Sequence, residues 1–205
     1  MQALFMKEAI KYSVLPIDDR SIERFNPAIA GRPDLMGGCT SLTVYEGMTG
    51  MMENAFINVK NRSHTITAEV EIPAGGANGV VLVQAGRFAG WSLYFKDGKP
   101  AYVYNWIGRE HYTVAASEPV GPGKATIRLD VAYDGGGLGK GATATLSVNG
   151  QKAAEGRIAR TVPLAFSGDE GADVGVDEAT NVTDAYKEGD NRFTGKIYKV
   201  TIAVK

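Results

Sequence analysis

The sequence predicts an all-β sandwich preceded by a helical arm, and three observations lead to it. From about residue 40 onward, short apolar runs recur between Gly, Asp and Pro. Two of these breaks are the dipeptides Asp97-Gly98 and Asn149-Gly150, which favour tight hairpins. The 26 glycines accompany few long helical patterns, so turns and strands dominate.

The elements follow in order. Residues 2–12 carry Leu4, Phe5, Ala9 and Ile10 at mixed three- and four-residue spacings, which predicts a helix. Residues 13–38 lose all periodicity. Pro16, Pro27, Pro33 and the run Asp18-Asp19-Arg20 make them an extended linker. Residues 1–38 cannot build a core alone and read as an arm, leaving 39–205 as the sandwich. Strands are expected near 41–46, 64–72, 79–86, 90–96, 99–107, 110–116, 124–133, 142–149, 151–160 and 192–204.

The two hairpin turns set registers. Asp97-Gly98 pairs Lys96 with Lys99, hence Leu93 with Tyr102 and Trp91 with Tyr104. Alternation then puts Trp91, Leu93, Phe95, Tyr102, Tyr104 and Trp106 on one face, and Ser92, Tyr94, Lys96, Ala101, Val103 and Asn105 on the other. The first face is expected to be core and the second to meet water. Asn149-Gly150 sets Leu146 opposite Ala153.

Charge excludes some partners. With 22 basic and 23 acidic side chains, no global field selects nucleic acid. No apolar run approaches the roughly 20 residues that span a bilayer, so no membrane partner is expected. The single Cys39 cannot form an internal disulfide. The first residues lack a basic segment followed by a long apolar core, so the chain as written is expected in the cytoplasm. A longer parent would be compatible with export to the periplasm or beyond.

Catalytic chemistry is not legible. Asp134 to Gly141 imitates a phosphate loop, but Gly141 follows Lys140 where Ser or Thr is required, and the segment reads as a flexible connection. His64 and His111 have no second ligand at metal spacing and read as ordinary strand residues. Cys39 has no partner base. Glu69 and Glu71 are the one carboxylate pair on an expected strand, without the third partner a glycanase needs. Asn61-Arg62-Ser63 and Asn181-Val182-Thr183 are glycosylation sequons. The acidic, glycine-containing loop 169–178 offers oxygen ligands for calcium from Asp169, Asp173 and Asp177, with Asp184 beyond it, although its spacing departs from the twelve-residue calcium loop.

Several longer motifs point to a family. Asn58-Val59-Lys60-Asn61-Arg62-Ser63-His64-Thr65-Ile66-Thr67-Ala68, Gly86-Arg87-Phe88-Ala89-Gly90-Trp91-Ser92-Leu93-Tyr94, Tyr102-Val103-Tyr104-Asn105-Trp106, Tyr133 to Gly141 and Phe193-Thr194-Gly195-Lys196-Ile197 occur in that order. Together they resemble the C-terminal region of large bacterial arylsulfatases. The arm, with Val14 to Arg20 and Gly31-Arg32-Pro33, resembles the segment joining that family's catalytic domain to its tail. The resemblance implies a concanavalin A-like, laminin G-type jelly roll and no catalytic residue. The family's nucleophile lies in an upstream alkaline-phosphatase-like domain within a Cys/Ser-x-Pro-x-Arg motif, which Cys39-Thr40-Ser41-Leu42-Thr43 does not match.

Two functions follow as expectations. The first is a non-catalytic accessory domain whose arm, lacking its catalytic neighbour, either pairs with a second copy to form a homodimer or leaves the first dozen residues disordered. The alternative is a carbohydrate-binding module for sulfated or other glycans. For that reading the candidate ligand residues are Tyr94, Asn105, Arg109, His111 and Tyr112, on the polar face or the following strand.

Overall fold

The computed structural model describes residues 1–15, 17 and 35–205. Contacts divide the chain into two units, Met1–Pro33 and Asp34–Lys205. The first unit contributes helix α1 (Gln2–Lys11), close to the expected 2–12. It ends where Tyr12 N–H reaches the Glu8 carbonyl at 3.0 Å and Ser13 turns left-handed at φ 54°. Pro16 and residues 18–34, most of the expected linker, lie outside the described residues.

The second unit is a sandwich of strands β1 (Ser41–Val44), β2 (His64–Ile72), β3 (Gly79–Gly86), β4 (Ala89–Lys96), β5 (Lys99–Trp106), β6 (Glu110–Ala115), β7 (Gly123–Tyr133), β8 (Ala142–Val148), β9 (Gln151–Ile158), β10 (Ala172–Val174) and β11 (Lys196–Val204). They form a six-stranded sheet, β1-β11-β2-β7-β8-β9, and a five-stranded sheet, β10-β3-β4-β5-β6. The pairings within both sheets are antiparallel, so each sheet can bury one face and offer the other. This is a jelly-roll sandwich.

The Asp97-Gly98 hairpin has the expected register, from Lys96 opposite Lys99 to Trp91 opposite Tyr104. Both turn residues take positive φ, 52° and 76°, which this two-residue turn demands. The second hairpin differs by one residue. Asn149 and Gly150 turn as expected, but a bulge between Leu146 and Ser147 sets Leu146 opposite Ala154 rather than Ala153. A bulge admits one unpaired residue without changing the local alternation much, so turn chemistry alone does not show it. Strand β10 is a further difference: three residues of the acidic loop pair with β3.

Trp91, Leu93, Phe95 and Tyr102 are fully or almost fully buried and face Ile66, Ile127, Leu129, Leu146 and Val200 of the other sheet. Trp91 stacks obliquely on Phe56 and Tyr102, each at 6.3 Å, and its indole N–H donates to Gln84 Oε1 at 3.0 Å. The expected aromatic face is therefore the core, with Trp106 half-buried at its margin.

The opposite face does not meet water as expected. Residues 175–191 fold across it, and Val182, Ala185 and Tyr186 pack on Val80, Val83, Tyr94, Ala101 and Val103. Ser92 and Asn105 are buried there as well, while Lys96, at the strand end, stays exposed.

The glycine-rich segment after β7 is pinned rather than loose. Tyr133 O–H donates to the Gly137 carbonyl at 2.6 Å and accepts Lys140 N–H at 2.8 Å. Asn61 Oδ1 accepts Gly139 N–H at 2.8 Å, and its amide donates to the Pro163 carbonyl at 2.6 Å. These bonds occupy the sequon's acceptor amide.

Candidate functional site

The residues expected to bind a ligand do not converge. Tyr94 lies edge-on to Tyr186 at 5.4 Å beneath the covering segment. Asn105 is fully buried; its Nδ2 donates to the carbonyls of Gly86 and Arg87 at 3.1 and 2.9 Å, with that of Val182 at 3.4 Å. Its Oδ1 accepts Gly108 N–H at 2.8 Å. Both residues thus support structure. His111 is exposed at the sheet edge with Nε2 at 3.2 Å from the Val182 carbonyl, a geometry that puts the ring proton on Nε2. Tyr112 turns to the core side, where its hydroxyl donates to Glu110. Arg109 is exposed in the β5–β6 turn.

The acidic loop is also dispersed. Asp169 is exposed and accepts from Ser167 Oγ at 2.8 Å. Asp173 is buried, taking Gly50 N–H at 2.7 Å and Glu178 N–H at 3.1 Å. Asp177 is buried and accepts Tyr186 O–H at 2.8 Å, whereas Asp184 is exposed. Among the described residues, no three His, Cys, Asp or Glu side chains come together in a way that would hold a metal ion. Asp177 instead holds its proton to a higher pH than an ordinary carboxyl. Burial first, and the nearby Asp173 and Glu170 carboxylates after it, push its pKa up to about 6 against the hydrogen bonds from Tyr186 and Val182.

His64 is the opposite case. It is buried, its Nδ1 faces the Arg62 carbonyl at 3.2 Å, and its Nε2 has no partner among the described residues. Burial pushes its pKa down to about 4, so the ring is neutral at physiological pH.

Among the described residues, the outer face of the six-stranded sheet is open. A cleft of about 330 Å³ lies there, lined by Glu69, Lys124, Thr126, Asn149 and Tyr198 among others. Pockets of roughly this volume and upward hold small ligands. A second bulge, between Ile197 and Lys199, presents Tyr198 as the extra residue of β11. Lys124 and Lys196 hold their ammonium groups 5.4 and 4.9 Å from its ring centroid. Its hydroxyl donates to Glu71, which keeps the phenol neutral to higher pH than usual. Glu69 pairs with Lys199 at 3.0 Å, and Asn149 Oδ1 accepts Thr126 N–H at 2.8 Å. The face therefore joins an aromatic ring, three lysines, two carboxylates and several hydrogen-bonding groups on paired strands. Glu69 and Glu71, which in the sequence are a carboxylate pair without the third partner a glycanase needs, lie on this face. Tyr198 is not among the ligand residues expected from the sequence, because its outward position depends on a bulge that periodicity conceals.

The two antiparallel sheets define the structural class of jelly-roll sandwiches, and solved structures agree at the level of fold. The carbohydrate-binding module 40 of Ruminococcus gnavus IT-sialidase, bound to α2,3-sialyllactose, is similar with TM-score 0.52 and 16% identity over 80% of this chain and 89% of that one. The same module bound to α2,6-sialyllactose gives 0.50 and 15%, with the same coverage. Mouse laminin α1 domains LG4-5 give 0.45 and 14%, over 81% of this chain and 39% of that one. No family model and no curated protein matches the chain. The resemblance to arylsulfatase tails rests on the sequence motifs alone.

Proposed function

We propose that the chain is a non-catalytic carbohydrate-binding module whose ligand lies in the cleft on the six-stranded sheet. The observation that carries this reading is Tyr198, set outward by a bulge and flanked by Lys124 and Lys196. An aromatic ring stacks on the apolar face of a sugar, and ammonium groups beside it suit a sulfate or carboxylate substituent. Neighbouring Glu69, Thr126 and Asn149 supply groups for ring hydroxyls. The sialyllactose bound by the similar module supports an acidic sugar as the ligand class. If the tail resemblance holds, such a module would keep an acidic glycan near a separate catalytic domain. On an array carrying sulfated, sialylated and neutral glycans, the protein is expected to retain acidic members. Tyr198→Ala should weaken retention by about tenfold or more at unchanged melting temperature. Equal retention by the variant would remove the cleft from consideration.

We also propose that the arm mediates self-association. Leu4, Phe5, Met6 and Ile10 of α1 are exposed by 62, 52, 45 and 66%, an unusual display of apolar surface for a solvated helix. Light scattering should give a dimer for the whole chain and a monomer for a form lacking residues 1–38. A monomer in both would dismiss the pairing.

A further inference from the structure

Two neighbouring turns at one end of the five-stranded sheet display apolar side chains for which the glycan cleft has no use. The β3–β4 turn carries Arg87 and Phe88, and Phe88 is 74% exposed. The β5–β6 turn carries Ile107, Gly108 and Arg109, and Ile107 is 43% exposed. Ile107 also holds φ at 48°, a region that β-branched residues avoid. The fold retains this strained, exposed residue instead of the glycine or asparagine that would suit the turn.

The turns are locked together. The buried Asn105 amide bridges them, donating to Gly86 and Arg87 carbonyls in one and accepting Gly108 N–H from the other. A Cβ on Gly108 would stand 3.2 Å from the Arg87 carbonyl oxygen and 4.0 Å from Phe88 Cα, so the two backbones nearly touch. Thr180 Oγ1 accepts Arg87 N–H at 2.9 Å and fixes the first turn from the covering segment. Phe88 and Ile107 therefore project from a braced platform. Arg87 and Arg109 stand beside them, both exposed. Behind them, Arg160 lies 4.9 Å over the ring of half-buried Trp106 and 3.8 Å from Glu110.

We propose that this braced tip docks on an anionic lipid surface, with Phe88 and Ile107 entering the headgroup–acyl boundary and Arg87 and Arg109 contacting lipid phosphates and carboxylates. A projecting tip cannot enclose a small molecule, but it can enter a soft interface. Guanidinium groups around apolar residues match the layering of that interface, negative above and apolar below. Trp106, with its amphipathic indole near the tip, would lie close to headgroup level. Such binding is peripheral and needs no spanning helix; among the described residues none is long and apolar enough to cross.

The test is cosedimentation of the whole chain with vesicles of phosphatidylcholine containing about 30% phosphatidylserine, beside vesicles of phosphatidylcholine alone. The protein should sediment with the anionic vesicles and much less with the neutral ones, and salt should weaken the binding. Phe88→Ser should reduce it by about tenfold, and Arg87→Gln with Arg109→Gln should abolish the salt dependence. Phe88 is so exposed that its replacement should leave the melting temperature alone. Ile107→Asn gives a second variant that relieves backbone strain, so weaker vesicle binding by a protein at least as stable cannot be ascribed to unfolding. Tyr198→Ala should sediment like the unaltered protein, which separates failure of this proposal from failure of the glycan reading. Absence of sedimentation with anionic vesicles would overturn the proposal, as would equal binding to both vesicle types or unaltered binding by Phe88→Ser.

Discussion

Replacing Asp177 with Asn should make the protein lose stability steeply as pH falls from 6 to 4, whereas replacing His64 with Phe should make it gain stability over the same range. The signs follow from the two burials. His64 titrates near 6.5 when unfolded and at about 4 when folded. Its contribution is whole above pH 6.5 and is lost as pH falls toward 4, because the unfolded chain takes up the proton first. Asp177 goes from 3.8 to about 6 on folding. Its contribution is whole below pH 3.8 and is lost as pH rises through 6, because the folded chain holds the proton longer. In the shared window each group contributes a slope of about 1.4 kcal/mol per pH unit, with opposite sign. Over about two units the two effects, each roughly 3 kcal/mol, largely cancel. The unaltered chain should thus show a flat profile of urea midpoint against pH between 4 and 6. Either variant should tilt it, in the direction stated. Parallel profiles for all three proteins would show that neither group is perturbed by its burial.

Glu53→Ala should lower stability by about 3–5 kcal/mol. Lys60 is buried, its ammonium held by Glu53 and lying 5.1 Å from the centroid of the Phe166 ring. Glu53 also accepts the backbone N–H of Phe166 at 2.9 Å and of Ser167 at 3.4 Å. Truncating it leaves a cation and two amide donors without their acceptor in a region with little water. The double variant Glu53→Gln with Lys60→Met removes both charges and keeps an amide oxygen for the backbone. It should recover most of the loss. Thermal melts of the single and double variants decide the point. A single variant within about 1 kcal/mol of the unaltered chain would mean that the pair is solvated in practice.

The Asp97-Gly98 turn dictates its register through local backbone chemistry, and the structure keeps it residue for residue. The bulge at Leu146/Ser147 has no such local signature, because Leu, Ser and Val fit a regular strand equally well. The larger omission was the cover over the five-stranded sheet. Ser92 and Asn105 look like water-facing residues when read by alternation, yet Asn105 obtains its partners from turns and carbonyls distant in sequence. Val80, Val81, Leu82 and Val83 carried the contrary signal: a strand apolar at successive positions is buried on both faces. The displaced candidates follow from that one error, since Tyr94 and Asn105 were chosen for a face assumed open. Tyr198 was illegible for a different reason, as its outward position depends on a bulge between two strands far apart in the chain.

For the proposed glycan module, the segment across the five-stranded sheet has a consequence for valency. A sandwich of this class has two outer sheet surfaces, and here residues 175–191 occupy one of them. Among the described residues the outer face of the six-stranded sheet is left, so on the proposed reading one copy would hold one glycan chain at a time by a sheet face. Tight attachment to a polymeric target must then come from tethering: a second copy, or an attached domain, raises the local concentration of the site without adding contacts to it. The spacing between copies, more than the chemistry of any one cleft, would decide which densities of ligand are recognised.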